Sequence, residues 1–170
     1  MFYLHCTKKL LDRIKPEMAS SGQNDTLLGN WYATALFWKP QLALLVSERI
    51  LLPVLIPLAP AATLARRFPA QLGRVLKELG VPADFIAQEV WRMGDVRYAK
   101  TANRSVVGIL NEFSRQAEFW LAAYAYEKGD DDDLLVISAK LAETPCSPLY
   151  KGPGSPDRAL HALVKETGAA

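Results

Sequence analysis

Along residues 106–124 the apolar side chains Val106, Leu110, Phe113, Ala117, Trp120, Leu121 and Tyr124 recur mostly at steps of three and four. That spacing draws one stripe down a helix and turns it toward a core. The other face carries Glu112, Arg115, Gln116 and Glu118 and belongs to water. Asn103, with Thr101 as the alternative, is placed to cap the start, because a short side-chain oxygen accepts an otherwise unpaired helix N–H. The pattern predicts a helix over residues 103–126 whose end falls near Lys128 and Gly129.

The N-terminal third alternates differently. Residues 2–6 are rich in aromatic and branched types and read as a short strand. Thr7 then caps a short helix over residues 8–14, with Leu10, Leu11 and Ile14 inward and Pro16 as its stop. Residues 18–26, with Ser20, Ser21, Gly22, Asn24 and Asp25, form a polar loop and the first place to expect mobility. Residues 31–38 and 42–46 flank Lys39-Pro40-Gln41 and read as a hairpin. A third run, residues 51–56, follows a tight connection at Ser47-Glu48-Arg49 and extends the hairpin to a meander, which the strand at residues 2–6 is free to join. Pro53 and Pro57 lack an N–H, so this run belongs at a sheet edge or carries a bulge.

After Pro60 the period becomes helical. Leu64, Phe68, Leu72, Val75, Leu76 and Leu79 make one stripe, which Pro69 is expected to divide into two helices. Gly80 ends the second, Pro82 opens a third with Phe85, Ile86, Val90 and Met93 inward, and Gly94 closes it. Residues 96–101 are extended and deliver the chain to Asn103. Beyond the long helix, Asp130 to Asp133 place negative charge where a helix over residues 134–143 begins, which suits its dipole. Residues 144–155 form a proline-rich surface loop or lid, and Ser155-Pro156 starts a last helix docked by Leu160, Leu163 and Val164. The fold class is α+β: a small antiparallel or mixed sheet from the N-terminal third, packed by a mostly helical C-terminal two-thirds, in a single domain over residues 1–170.

Composition narrows the setting. Half of the 170 residues are hydrophobic and 22% are charged, which suits a globular chain with a real core. A net charge of +2 is too small for a general nucleic-acid coat, so any such contact must come from a local patch. Cys6 and Cys146 are too few and too far apart for a disulfide framework and point to a reducing cytoplasm. The first residues are polar where a signal peptide needs an apolar core. Residues 50–62 are nearly all apolar but hold Pro53, Pro57 and Pro60. A membrane span needs about 20 apolar residues, so this segment reads as a buried strand and its exit, with no membrane partner.

The least generic polar residues gather where the long helix begins. Arg104 in its first turn puts a cation at the partly positive end, a cost of a few tenths to about 1 kcal/mol unless an anion is near. Helix N–H groups, the Ser105 hydroxyl and the Arg104 guanidinium, capped by Asn103, make a candidate phosphate or carboxylate site. Lys100, Thr101 and Arg97 add to it from the incoming segment. Two alternatives stand beside it: Arg104 pairing with Glu48 or Glu89 of its own fold, and an enzyme that uses one of those carboxylates with Arg104. Gly108 costs about 1 kcal/mol against alanine inside a helix, and its expected use is close approach of another backbone.

Other chemistry is missing from the sequence. His5 and His161 have no ligand partners at zinc spacing, and no cofactor or nucleotide loop is present. His5 and its neighbour Cys6 point to opposite faces of a strand, so they make no nucleophile–base pair. The four consecutive aspartates lack the spacing and glycine of a calcium loop.

Leu28-Gly29-Asn30-Trp31-Tyr32, Ser47-Glu48-Arg49, the run from Lys100-Thr101 through Asn103-Arg104-Ser105-Val106-Val107-Gly108, and Thr144-Pro145-Cys146 together carry a resemblance. They resemble a bacterial family known only as a domain of unknown function, as does Thr7-Lys8-Lys9-Leu10 at the end of the first strand. Members carry a Lys-Thr-x-x-Arg-Ser-Val-x-Gly-Ser-Met-Asn-Asp run. This chain continues with Ile109-Leu110-Asn111-Glu112, so it departs at the small residue and the final acid while Asn111 matches. The resemblance covers most of the chain and implies one domain. It also implies bacterial chromosomes and mobile elements as the setting, and it transfers no activity.

These readings favour a binding module for a phosphate-containing ligand or nucleic acid, with Trp31, Tyr32 or Trp38 stacking on a base if exposed. The alternative is a structural or protein-interaction domain.

Overall fold

The computed structural model describes residues 1–20 and 22–168. Its centre is a five-stranded sheet built from β1 (Phe2–Cys6), β2 (Trp31–Leu36), β3 (Leu42–Ser47), β4 (Pro53–Pro57) and β5 (Val96–Lys100), in the order β4-β3-β2-β1-β5. The meander is antiparallel as expected, with Leu36 opposite Leu42 and Leu42 opposite Pro57. The first strand joins it at the middle, parallel to both β2 and β5. The sheet is therefore mixed and the class α+β. β4 lies at an edge, where its two prolines lose no ladder bond.

Alternation along the strands separates two cores. Phe2, Leu4 and Cys6 of β1 and Trp31, Ala33 and Ala35 of β2 face one side. Packed on that side are α1 (Lys8–Ile14), α2 (Leu64–Glu78), α3 (Ala83–Arg92) and α6 (Pro156–Glu166). Tyr32, Leu36, Leu44 and Val46 face the other, against α4 (Arg104–Ala123). α5 (Asp131–Ala142) runs along the β4 edge and feeds both cores, Leu135 into the first and Ile137 into the second. No helix among the described residues is long and apolar enough to cross a membrane.

Several sequence expectations change in the structure. Pro69 does not divide its segment: α2 is continuous from Leu64 to Glu78. The missing bond and ring clash cost about 3 kcal/mol, whereas Leu64, Phe68, Leu72, Val75 and Leu76 are all fully buried at about 1.5–3 kcal/mol each. A single rod serves that stripe better than two. The long helix ends earlier than expected, at Ala123, because Ala125 takes the left-handed conformation (φ 49°) and turns the chain. The loop at residues 18–26 is pinned at several points: Met18 bridges Tyr98, the Ala19 amide donates to the Tyr98 carbonyl, and Thr26 Oγ1 donates to the Gly29 carbonyl. Ser21, part of that reading, lies outside the described residues.

Candidate functional site

β1 and β5 are adjacent and parallel, with Cys6 in register with Lys100. From Cys6 the chain turns into α1 on the first face, where Leu10 is buried. From Lys100 it turns into α4 on the second, where Val106 and Leu110 are buried. Neighbouring parallel strands whose chains depart to opposite faces leave a crevice at their carboxyl ends, the place where open α/β sheets bind ligands. Thr7 and Lys8 leave this end of the sheet on one side, and residues 101–105 leave it on the other.

A polar network fastens this end of the sheet. Asn103 caps α4, its Oδ1 accepting from the amides of Ser105 at 3.0 Å and Val106 at 3.3 Å. The Asn103 amide donates to the Tyr32 hydroxyl at 2.9 Å. His5 Nδ1 lies 2.8 Å from the Lys100 carbonyl. A carbonyl can only accept, so Nδ1 carries a proton and donates in this bond. The His5 ring stacks on Tyr32 with centroids 4.6 Å apart, and the Thr7 and Thr34 hydroxyls meet at 2.9 Å. Strands β1 and β2 thus fasten the turn that leads into α4. The sequence reading took Tyr32 as a stacking candidate and set His5 aside, and it did not pick out Thr34 or the joint role of the three in this network. Period-two alternation puts His5 on the face away from Cys6, but its meeting with Tyr32 depends on strand pairing.

The sequence-predicted residues are distributed unevenly around this place. Asn103, Arg104 and Ser105 stand together and exposed at the start of α4, and half-buried Thr101 precedes them. Arg104 makes no ion pair among the described residues. Lys100 and Arg97 are three positions apart on one strand and so point to opposite faces. Lys100 joins Leu11, Asp12 and Lys15 around a shallow hollow on the α1 side. Arg97 sits 4.0 Å from Asp95 beside a groove of about 670 Å³ that also includes Met18 and Tyr98.

The carboxylates named as alternatives lie elsewhere. Glu48 follows Ser47, which pairs with Trp31 of β2. This puts it three strand spacings, about 14 Å, from β5. Glu89 is fully buried, and its Oε2 accepts from the Leu27 amide at 2.6 Å. Its other oxygen has no partner. Burial pushes its pKa up against the pull of the Leu27 and Leu28 amides and of Arg92.

Of the aromatics considered for stacking, Trp31 and Tyr32 are buried, while Trp38 is half-buried. Burial raises the Cys6 thiol to about 12 and the Cys146 thiol to about 11, so both stay protonated and poorly nucleophilic at neutral pH. Gly108 is exposed, and a Cβ added there would meet nothing within 4 Å. Its expected close contact with another backbone of this chain is absent. Among the described residues no three histidine, cysteine, aspartate or glutamate side chains gather as a metal site.

No curated protein and no solved structure gives a match. A family model does, over residues 3–159, and by that match the chain belongs to the family described as a domain of unknown function, DUF6933.

Proposed function

We propose that this chain is a binding module that recognises a phosphate-bearing ligand at the carboxyl-end crevice of β1 and β5. The observation that carries this reading is Arg104, exposed and without an ion pair among the described residues, in the first turn of α4 just beyond the carboxyl end of β5. A cation in the first turn opposes the helix dipole unless an anion joins it. Lys100 on the α1 side adds positive charge to the same end of the sheet, as does Lys8, which pairs with Asp12 at 3.5 Å.

The cap limits the kind of contact. Asn103 already occupies the amides of Ser105 and Val106, so the grip rests on the guanidinium, the Ser105 hydroxyl and the Arg104 amide. Such an open arrangement suits one phosphate on a large polyanion, a nucleic-acid backbone, better than an enclosed nucleotide. Thr101 and Asn103 shape the turn, Arg97 adds charge further along β5, and Glu48 stands outside the proposed contact. The two cysteines, both free and buried, fit the cytoplasmic setting read from the sequence.

The test is fluorescence anisotropy with single- and double-stranded oligonucleotides across a salt series. Arg104→Ala should weaken binding of every sequence alike and lower the salt slope by about one. Unchanged affinity and slope in a folded variant would reject the assignment.

A further inference from the structure

At the tip of the β2–β3 hairpin a hollow of about 520 Å³ opens between Phe37, Trp38, Pro40, Pro57, Tyr126 and Asp131. A second of about 390 Å³ shares Trp38, Pro40 and Tyr126 and runs on to Leu42, Leu121 and Ala122. From Arg104 to Leu121 the helix rises about 26 Å, so this place is separate from the crevice. Phe37 is 48% exposed, and Phe37, Trp38 and Tyr126 form no ring–ring pair with one another among the described residues. Three aromatic rings and two prolines thus border one open space. The volume is that of a small-ligand site, and an apolar, aromatic lining with few polar groups is usual for one.

The charges around the hollow offset one another. Lys39 and Lys128 border it beside Asp131, and Asp131 is within electrostatic reach of Arg67, whose pKa burial lowers and that carboxylate raises. The Arg67 guanidinium is itself fixed by the carbonyls of Pro57, Leu58 and Pro60. Asp130 and Asp133 add negative charge on the Tyr126 side. Basic Lys39, Lys128 and Arg67 and acidic Asp130, Asp131 and Asp133 are therefore set around the hollow in equal number. Lys39 and Lys128 are exposed, and lysines so placed lay their carbon stems along apolar surface while the ammonium stays in water. An ionic guest would give up hydration for a border of both signs. A neutral aromatic guest instead gains apolar burial and ring contacts with Trp38 and Tyr126. Burial pushes the Tyr126 phenol up to about 12, with the carboxylates of Asp131, Asp130 and Asp133 adding to it. Its hydroxyl stays protonated at neutral pH and can donate to an oxygen of such a guest.

We propose that this hollow binds a small, uncharged aromatic molecule, its ring seated between Trp38, Pro40 and Tyr126. The site is independent of the phosphate reading, and Arg104→Ala should leave it unchanged. The probes are naphthylmethanol, its cationic counterpart naphthylmethylamine, the anion naphthoate and the saturated decalylmethanol. Each is titrated into the full chain at neutral pH while the Trp38 indole and backbone amide resonances are followed. Naphthylmethanol should shift the resonances of residues 37–41 and 126–131 and bind about tenfold more tightly than either charged analogue. It should also bind about fivefold more tightly than decalylmethanol, and Trp38→Leu and Tyr126→Leu should each remove about that factor. Tyr126→Phe, which keeps the ring, should lose less than Tyr126→Leu. Lys39→Gln combined with Lys128→Gln should strengthen the amine, and Asp131→Asn the naphthoate, with naphthylmethanol unchanged in both. A charged analogue that binds as tightly as naphthylmethanol, equal binding of decalylmethanol, or shifts confined to another surface would each overturn the proposal. So would an undiminished affinity in folded Trp38→Leu and Tyr126→Leu, the amide spectrum of each variant reporting its fold.

Discussion

The backbone amide of Leu55 donates to the hydroxyl of Ser138 at 3.0 Å, so a helix side chain completes the middle of an edge strand. The carbonyl of the same residue accepts from Gln71 Nε2 at 2.9 Å, and Ser138 passes its own proton to the Leu134 carbonyl at 2.7 Å. Exposed strand edges invite pairing with other chains. Here α5 and α2 occupy the β4 edge from both sides. Ser138→Ala should leave a buried N–H unpaired and cost about 1–3 kcal/mol, and Gln71→Leu should do the same for the carbonyl. At this chain length each kcal/mol corresponds to about 2–4 °C in Tm. Urea denaturation of the two variants measures the effect, and a loss within experimental error would mean that water already serves that edge.

The end of α4 carries a cost that one substitution should remove. The Ala125 amide donates to the Ala122 carbonyl and the Tyr126 amide to the Leu121 carbonyl, the paired bonds of a Schellman turn. α2 ends with the same two bonds, from Gly80 to Lys77 and from Val81 to Leu76. There glycine holds the left-handed position at φ 78°, whereas in α4 alanine holds it at φ 49°. A side chain in that conformation costs roughly 1 kcal/mol. Ala125→Gly should therefore stabilise the fold by somewhat less than 1 kcal/mol, since glycine also adds freedom to the unfolded chain. A lower Tm would show that the turn is fixed by the packing of Tyr126 and not by strain relief.

That turn also shows where sequence reading stops. Residues 106–121 were legible because one core imposes a helical period on them, and Gly80 was legible as an end because it is glycine. Ala125 gives no such signal, so the predicted end drifted toward Gly129. Pro69 carried a strong local signal that a stronger tertiary one, the buried stripe of α2, overrode. At the candidate site the Asn103 cap was readable from local chemistry. The opposite facing of Arg97 and Lys100 follows from strand alternation and was available in principle. The central place of β1, the isolation of Glu48 and Glu89 from Arg104, and the meeting of Phe37 and Trp38 with Tyr126 all depend on strand order and helix packing, which no local window contains.

Gly108 lies one helical turn beyond Arg104 on the exposed side of α4. Alanine there meets open space and should raise stability by about 1 kcal/mol, the ordinary gain over glycine inside a helix. If the phosphate ligand lies along this face, the same methyl group will hinder its approach. Gly108→Ala should then raise Tm and weaken oligonucleotide binding at once. Stability and binding that move in opposite directions cannot come from misfolding. Full retention of binding would place the ligand's path away from this face.

Glu89 sets a pH dependence of definite sign. Burial raises its pKa in the folded state, so the fold holds its proton more tightly than the unfolded chain does. Its contribution to stability is therefore complete below the ordinary glutamate pKa and is lost as pH rises through the higher folded value. Glu112, whose pKa is lowered by Arg115 and Gln116, acts in the opposite direction, as does any other carboxylate stabilised in its charged form. Subtracting the stability of Glu89→Gln from that of the native chain at each pH cancels these other groups. The glutamine keeps an oxygen for the Leu27 amide and removes the titration. The difference should be level below the ordinary glutamate pKa and fall as pH rises from there to the folded value, with Glu89→Gln gaining on the native chain over that window. Urea unfolding at closely spaced pH values reads this directly. A flat difference would mean that the unpartnered oxygen of Glu89 is solvated in solution, and a rising one would mean that its carboxylate has found a cation.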